Sequence, residues 1–231
     1  VIDFTGELGK DIYFSINKFK LLINEVLERD GEKALILEEP LGYSELRKTI
    51  SNKFLKGEES YGNILIVSGA QQGIDIAAKA ILNINDNVVV ERPTYIGATS
   101  VFKWRKVNIF EVNSEKDGIN LVELENILKK NKVKCLYTMP YYNSSTGITY
   151  SNKKKERLLE LADKYDFYII EDDYLSEFIY DENIKYETLK YMDKNNRVIY
   201  IKSLSKSFMP GIRLGYMVIP KNLIEEMKMS K

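Results

Sequence analysis

One segment near the carboxyl end of the sequence combines side chains that could bind a phosphate beside a reactive amine. Within residues 203–216 lie the hydroxyls of Ser203 and Ser205, the amine of Lys206 and the guanidinium of Arg213. Hydroxyls and arginine are good phosphate ligands, and arginine can bind through two parallel hydrogen bonds. Lys206 follows a buried apolar run and lies near cationic Arg213, and both circumstances favour a neutral, nucleophilic amine. By composition alone, a solvated loop lysine with incidental serines is an equal interpretation.

The composition limits the remaining chemistry. The 231 residues include no histidine, which excludes Ser-His-Asp triads, Cys-His pairs and His-ligated zinc, and we predict no metal site. Any general acid or base must therefore be Lys, Tyr, Asp, Glu or a cofactor. The 34 basic and 34 acidic residues cancel, which argues against a general nucleic-acid binder but leaves open a DNA-binding module outside this chain.

The cysteine content and the apolar runs bear on location. The single cysteine, Cys135, fits a reducing compartment, and we predict a cytoplasmic protein. No apolar run approaches the ~20 residues of a membrane span, so we predict no membrane partner.

Short apolar runs alternate with helical patterns along the chain. Most of the runs are continuously apolar, which is typical of strands covered on both faces. Helical patterns lie between several of them, at 71–82, 121–130 and 153–164. This alternation predicts an α/β fold, a three-layer α/β/α sandwich with a mainly parallel seven-stranded sheet. The predicted strands are 64–68, 87–91, 108–112, 134–138, 167–171, 198–202 and 216–219.

In such sheets a ligand lies beyond the carboxyl ends of the strands. Polar or glycine-containing clusters occur at five of these places, and we expect them to converge on one pocket. They are residues 68–71, 91–95, 143–147, 172–174 and 203–206.

The order Ser-x-Ser-Lys followed by Pro-Gly-x-Arg-x-Gly, at residues 203–215, resembles the cofactor-lysine motif of fold-type I pyridoxal-phosphate (PLP) dependent aminotransferases. The resemblance implies the large domain of that fold, with PLP as the cofactor, held as a Schiff base on Lys206. It also implies that Ser203, Ser205 and Arg213 contact the phosphate of the cofactor.

Further segments match the same family. Asp172 matches its carboxylate at the pyridine nitrogen, which keeps that nitrogen protonated so that the ring accepts electrons. Tyr174 matches a residue that hydrogen-bonds the ring oxygen. The alternative for this segment is an Asp pair that caps a turn.

A strand–glycine–helix turn and an aromatic residue complete the expected site. Gly69, Ala70 and Gln71 resemble the family's phosphate cup, because free amides at a helix start bind phosphate and glycine permits close approach. Tyr95 matches an aromatic that stacks on the cofactor ring, worth ~1 kcal/mol beyond burial. For Tyr95 the alternative is an ordinary core tyrosine.

The chain departs from the family pattern at two places. Aminotransferases usually have Asn-Pro-x-Gly where this chain has Ser-Ser-Thr-Gly at 144–147. The asparagine that would touch the ring oxygen therefore falls on Ser144, with Asn143 one residue early, and we include both among the cofactor-binding candidates. Leu37 falls where the family often has a tyrosine that contacts the phosphate across a dimer.

The segment Asp-Asp-Tyr-x-Ser-Glu-Phe at 172–178 is particularly similar to MocR-type regulators, which fuse a GntR-type winged helix-turn-helix to an aminotransferase-like domain. Residues 2–4 and 39–47 fit as well. The resemblance implies an effector-binding and dimerisation domain that reacts with an amino-acid or amine ligand. It also implies a homodimer in the intact protein and contact with DNA only through a domain outside this chain.

Two alternatives remain open. One is the catalytic large domain of an amino-acid aminotransferase, in which the freed Lys206 moves the proton between substrate and cofactor carbons. The other is a degenerate fold that binds no PLP and serves only dimerisation.

We predict two regions in the chain. Residues 1–50 form an N-terminal arm and helices, and residues 51–231 form the PLP-binding large domain. The sequence begins without an initiator methionine and stops in a helix-like segment at 223–231, so we expect the family's C-terminal small domain to be absent. That domain carries an arginine for the substrate carboxylate, and its loss should reduce turnover.

Overall fold

The computed structural model describes residues 15–36, 39–178 and 187–231. The chain divides into two compact units, Val1–Glu38 and Glu39–Lys231. In the first unit, helix α1 spans Ile16–Asp30, its start capped by Ser15, whose hydroxyl accepts a hydrogen bond from the Lys18 amide at 3.2 Å. A short 3-10 helix, Gly31–Ala34, follows. Residues 2–4 and Leu37 lie outside the described residues, and the expected division at residue 50 stays a prediction.

The second unit is built on one mixed sheet of eight strands. Their bounds are β1 Ile64–Val67, β2 Asn87–Arg92, β3 Asn108–Glu115, β4 Gly118–Ile119, β5 Val133–Thr138, β6 Tyr168–Asp173, β7 Val198–Ser203 and β8 Gly215–Val218. They lie in the order β1-β8-β7-β6-β5-β2-β3-β4. The five central strands, β3, β2, β5, β6 and β7, are parallel. β8 is antiparallel to both β1 and β7, and β4 is antiparallel to β3.

The α/β prediction is confirmed, with one addition to the sheet. All seven predicted strands are present, but the sheet has eight, because Gly118–Ile119 forms an extra edge strand of two residues. So short a strand has no periodicity for sequence analysis to detect.

Helices connect the strands. Beyond α1 they are α2 Ser44–Thr49, α3 Ala70–Ile81, α4 Ile96–Trp104, α5 Leu121–Lys130, α6 Asn152–Tyr165, α7 Leu189–Met192 and α8 Ile224–Ser230. Short 3-10 helices occupy Tyr61–Asn63, Pro210–Ile212 and Lys221–Leu223, and a π-helical turn, Ile50–Phe54, extends α2. Asn120 and Ser151 cap α5 and α6, so that α5 begins at the predicted residue and α6 begins one residue before it. Among the described residues no helix is both long and apolar enough to cross a membrane.

Helices cover both faces of the sheet and form the expected three layers. One core joins the sheet to α3, α4 and α8 through side chains such as Ile74, Phe102 and Met227. The opposite core joins it to α5 and α6 through side chains such as Leu124 and Leu158. Side chains alternate between these layers along each strand, so neighbours in sequence reach different surroundings.

Candidate cofactor site

The carboxyl ends of β1, β2, β5, β6 and β7 lie at one edge of the sheet. β8 runs antiparallel between β1 and β7, and its Gly215 pairs with both Val67 and Ser203. On the next strands Asp172 pairs with Ile201, and Thr138 pairs with Glu171. The backbone therefore brings the five polar clusters to the same edge, where the sequence places a ligand.

At this edge a guanidinium lies against the turn that opens α3. Arg213 donates through Nη2 to the Ser68 carbonyl and through Nη1 to the Ser205 hydroxyl, both at 3.3 Å. Gly69 caps α3 with φ 89°, and a Cβ built on it would lie 2.7 Å from Arg213 Nη2. The Ser203 hydroxyl accepts from the Ser205 amide at 3.3 Å. Positive charge, hydroxyls and the first amides of a helix thus lie together, an arrangement that suits an anion such as phosphate. We call this place the anion-binding corner.

Gly215 makes this corner geometrically possible. A Cβ on it would lie 2.7 Å from the Lys202 carbonyl oxygen and 3.2 Å from the Gly69 Cα. Both neighbours are backbone atoms, so they cannot move aside as a flexible side chain would. A residue with a side chain would therefore separate the α3 turn from the end of β7.

Tyr95 lies beside the first turn of α3. Its hydroxyl donates to Gln71 Oε1 at 3.3 Å, and Gln71 Nε2 donates to the Gly97 carbonyl at 3.1 Å. A Cβ on Gly97 would collide with the Tyr95 ring. Tyr95 is 39% exposed, so the ring is held beside Gln71 and is not an ordinary core tyrosine.

Asp172 is a buried carboxylate with one satisfied and one unsatisfied oxygen. Its Oδ2 accepts from the Tyr137 hydroxyl at 2.6 Å, whereas the buried Oδ1 has no hydrogen-bond partner among the described residues. Burial raises the pKa of Asp172 to about 6 and Asp173 adds to the rise, while the Tyr137 hydrogen bond and the charge of Lys202 oppose it. A buried acceptor without a donor is costly, and a ring N–H from a bound group would satisfy it.

Tyr174, Asn143 and Ser144 meet at a neighbouring loop. The Tyr174 hydroxyl donates to the Tyr142 carbonyl at 3.3 Å. Asn143 is buried, with Nδ2 donating to Glu91 at 3.1 Å and Oδ1 accepting from the Ser145 amide at 2.9 Å. The Ser144 hydroxyl contacts the Met139 sulfur at 3.6 Å. The loop therefore lies beside Tyr174, but the Asn143 amide is engaged in a buried network.

That network centres on Glu91, whose importance the sequence did not reveal. Its oxygens accept from the Tyr150 hydroxyl at 2.7 Å, the Thr138 hydroxyl at 2.8 Å, the Met139 amide at 3.3 Å and Asn143. Burial raises the pKa of Glu91, and these hydrogen bonds oppose the rise. Glu91 thus connects the end of β2, the end of β5 and the 143–147 loop, and no cation of the described residues pairs with its carboxylate.

Lys206 lies half-buried in the turn that follows β7. The turn is closed by hydrogen bonds from the Phe208 amide to the Leu204 carbonyl, at 2.9 Å, and from the Leu204 amide to the Leu214 carbonyl, at 3.1 Å. Its neighbour Ser205 contacts Arg213. Lys206 is therefore next in sequence to the anion-binding corner, at the same edge of the sheet as Asp172.

A second lysine of this region, Lys202, faces the opposite layer. It is 2% exposed, and its amine donates to Asp173 at 3.2 Å and to the Ser176 hydroxyl at 2.8 Å. Asp173 also accepts from the Tyr200 hydroxyl at 2.7 Å. Strand alternation is the signal that separates Asp172 from Asp173 and would have located this buried pair.

Comparison with known proteins agrees with this geometry. The sequence model of the family described as aminotransferase class I and II matches residues 12–231. The chain belongs to this family. The predicted family is thus confirmed, and so is the predicted cofactor, since PLP is the cofactor of these proteins.

The relatives of this aminotransferase-family chain include both enzymes and regulators. It is 32% identical to aromatic-amino-acid aminotransferase 1 of Thermococcus litoralis, over 100% of this chain and 57% of the relative. It is 33% identical to an uncharacterised HTH-type transcriptional regulator of Bacillus subtilis, over 96% and 46%. The crystal structure of Pyrococcus horikoshii kynurenine aminotransferase in complex with PMP superposes with a TM-score of 0.84 at 32% identity, over 94% of this chain and 55% of that one. The chain spans about half the length of these relatives.

Proposed function

We propose that this chain binds PLP, held covalently by the Lys206 amine. In the intact protein it would serve as the effector-binding and dimerisation part of a GntR/MocR-type transcriptional regulator. The observation that carries the cofactor proposal is the buried Oδ1 of Asp172, which has no hydrogen-bond donor among the described residues. It lies at the same edge of the sheet as the anion-binding corner. The bound cofactor supplies an electron-accepting ring that no protein side chain provides.

Each residue of the site has a role that its position supports. The amides of Gly69, Ala70 and Gln71, with Ser203, Ser205 and Arg213, would hold the phosphate. Tyr95 would cover one face of the ring. These groups position the cofactor.

Three residues would do the chemistry. Asp172 would hold the proton of the ring nitrogen, and Tyr174 would donate its hydroxyl proton to the ring oxygen, close to Asn143 and Ser144. Lys206 would bond the cofactor aldehyde carbon and, once displaced by the amine of a ligand, would take the proton from the ligand Cα.

The regulator assignment is supported by the similarity to HTH-type regulators over 96% of this chain. It implies an amino-acid or amine effector, a homodimer, and contact with DNA through a domain outside residues 1–231. The second candidate, the catalytic domain of an amino-acid aminotransferase, is supported by a relative of nearly equal identity. A cytoplasmic location stays a prediction from the single cysteine.

Borohydride trapping tests the role of Lys206 directly. The Lys206 amine adds to the PLP aldehyde with loss of water, and hydride then reduces the C=N bond to a stable amine. We expect mass spectrometry to locate one phosphopyridoxyl group on Lys206 in the wild-type chain and in the control Lys221→Arg, whose lysine is exposed. Lys206→Arg should carry none. Modification of Lys202 in place of Lys206, or of no lysine, would contradict the proposal.

Intact protein separates the two candidate functions. A regulator should change its affinity for its promoter DNA when PLP and an amino donor are added, and should release little oxo acid. An aminotransferase should release oxo acid in repeated turnovers, which would overturn the regulator assignment and leave the cofactor proposal standing.

A further inference from the structure

Tyr137 meets Asp172 across neighbouring strands. On the parallel β5–β6 pair, Tyr137 is opposite Ile170, two residues before Asp172, so Tyr137 and Asp172 project from the same face of the sheet. Their side chains join at 2.6 Å, from the Tyr137 hydroxyl to Asp172 Oδ2. Both residues are buried. The bond therefore uses one carboxylate oxygen and leaves the other, Oδ1, for a ligand.

Tyr137 keeps its hydroxyl proton at neutral pH. Burial first, and then the charge of Asp172, raise the pKa of Tyr137 well above its usual value, with further rises from Tyr95 and Glu91. A tyrosine that keeps its proton can only donate to an ionised carboxylate. The contact thus favours the charged form of Asp172.

The other charged groups near Asp172 do not substitute for the Tyr137 hydrogen bond. Asp173, next along β6, raises the pKa of Asp172, and Lys202 of β7 lowers it. Both side chains contact each other on the opposite face of the sheet, so they act on Asp172 at a distance. Of these groups, and within the described part of the chain, Tyr137 alone forms a hydrogen bond with Asp172.

We propose that Tyr137 is a positioning residue of the cofactor site, whose hydroxyl orients the Asp172 carboxylate so that Oδ1 faces the ring nitrogen and keeps this carboxylate ionised. The proposal rests on the proposed PLP binding. A carboxylate without this bond could turn about its terminal torsion. Its burial would also favour the protonated acid, which lacks the negative charge that stabilises a protonated ring nitrogen.

The substitution Tyr137→Phe removes only the hydroxyl. The dissociation constant of PLP, measured from the absorbance of the bound cofactor between pH 5 and pH 8, gives two readouts that do not depend on turnover. At pH 7.5 we expect PLP to bind roughly tenfold or more weakly, the effect of one hydrogen bond to a charged group. We expect the pH at which acid weakens binding to move upward by about one unit, because Asp172 takes up its proton more readily.

Tyr200→Phe is a matched control. Tyr200 is buried on β7, the other neighbour of β6, and its hydroxyl donates to Asp173 Oδ2 at 2.7 Å on the opposite face. We expect this variant to bind PLP with the wild-type pH midpoint. Combining Tyr137→Phe with Asp172→Asn should remove the shift of the midpoint, because the titrating carboxylate is gone.

The outcomes separate this inference from the proposal on which it rests. If Tyr137→Phe binds PLP with the wild-type affinity and midpoint, the positioning role is wrong while PLP binding stands. Equal weakening in both tyrosine variants with an unchanged midpoint would reduce Tyr137 to a packing role and would also overturn the inference. If the wild-type chain binds no PLP, both proposals fall together.

Discussion

At the scale of single residues, Arg213 shows how a local backbone cost indicates a function. Its φ of 56° lies in the left-handed region, which non-glycine residues avoid at a cost of about 1 kcal/mol. In this conformation its guanidinium contacts the Ser68 carbonyl and the Ser205 hydroxyl. A strained, exposed arginine that lies on a helix start is accounted for by an anionic ligand.

We predict that Arg213→Met weakens the binding of PLP roughly 10- to 100-fold, the range for hydrogen bonds to a charged group. Pyridoxal, which lacks the phosphate, is the matched control ligand, and its affinity should change little. Titrations of both ligands followed by absorbance measure the two constants. An equal loss for both ligands would place Arg213 outside the phosphate site.

The residue scale also shows what the sequence could and could not predict. The order of Ser203, Ser205, Lys206 and Arg213 indicated a phosphate site through its resemblance to the cofactor-lysine motif, because all four lie within one short segment. Tyr137 lies in a continuously apolar run and looks like a core residue there. Its proposed positioning role depends on a partner 35 residues away in sequence, which only strand register brings within hydrogen-bonding distance.

At the scale of elements, β6 ends in three consecutive buried carboxylates with three different environments. Glu171 accepts from the amides of Leu189 and Lys190 at the start of α7, both at 2.8 Å. Asp172 accepts from the Tyr137 hydroxyl of β5, and Asp173 pairs with Lys202 on the opposite face. Strand alternation explains this separation, and the alternation was predictable once the strand was identified. The partners were not, because they come from β5, β7 and α7.

Close backbone approach between elements gives a prediction about β8. Gly215→Ala would place a Cβ against the Lys202 carbonyl and the Gly69 Cα, so we expect a loss of unfolding free energy of about 1–3 kcal/mol. Gly211→Ala is the control, since a Cβ there meets nothing within 4 Å. Urea denaturation of both variants measures the difference. Equal stability of the two variants would show that the α3 turn does not approach β8 so closely.

At the scale of the whole molecule, the buried site makes stability depend on pH. The folded chain holds the Asp172 proton to about pH 6, whereas the unfolded chain releases it near 3.8. The unfolding free energy therefore decreases as pH rises between these two values, because the folded chain must give up the Asp172 proton. Above them, the full cost of burying the ionised carboxylate remains. A shift of about two units corresponds to ~3 kcal/mol at most.

We predict that Asp172→Asn, without PLP, raises the unfolding free energy at pH 7.5 by about 1–3 kcal/mol and has a smaller effect at pH 4.5. Urea denaturation at both pH values provides the measurement. Asp75→Asn on α3, where Asp75 forms an exposed pair with Lys79, should change stability by no more than about 0.5 kcal/mol at either pH. A less stable Asp172→Asn variant at pH 7.5 would show that burial of the ionised carboxylate does not destabilise the folded chain.

The position of β1 at the edge of the sheet has a consequence for synthesis on the ribosome. Residues 64–67, which lead into the Gly69 turn, pair in the ladder with residues 215–218. Because β8 is the last strand in chain order, β1 has no partner strand in the sheet until all of the other strands have been translated. Pairing of two strands so far apart in sequence is slow because of its entropic cost, so we expect the anion-binding corner to be among the last parts of the domain to fold.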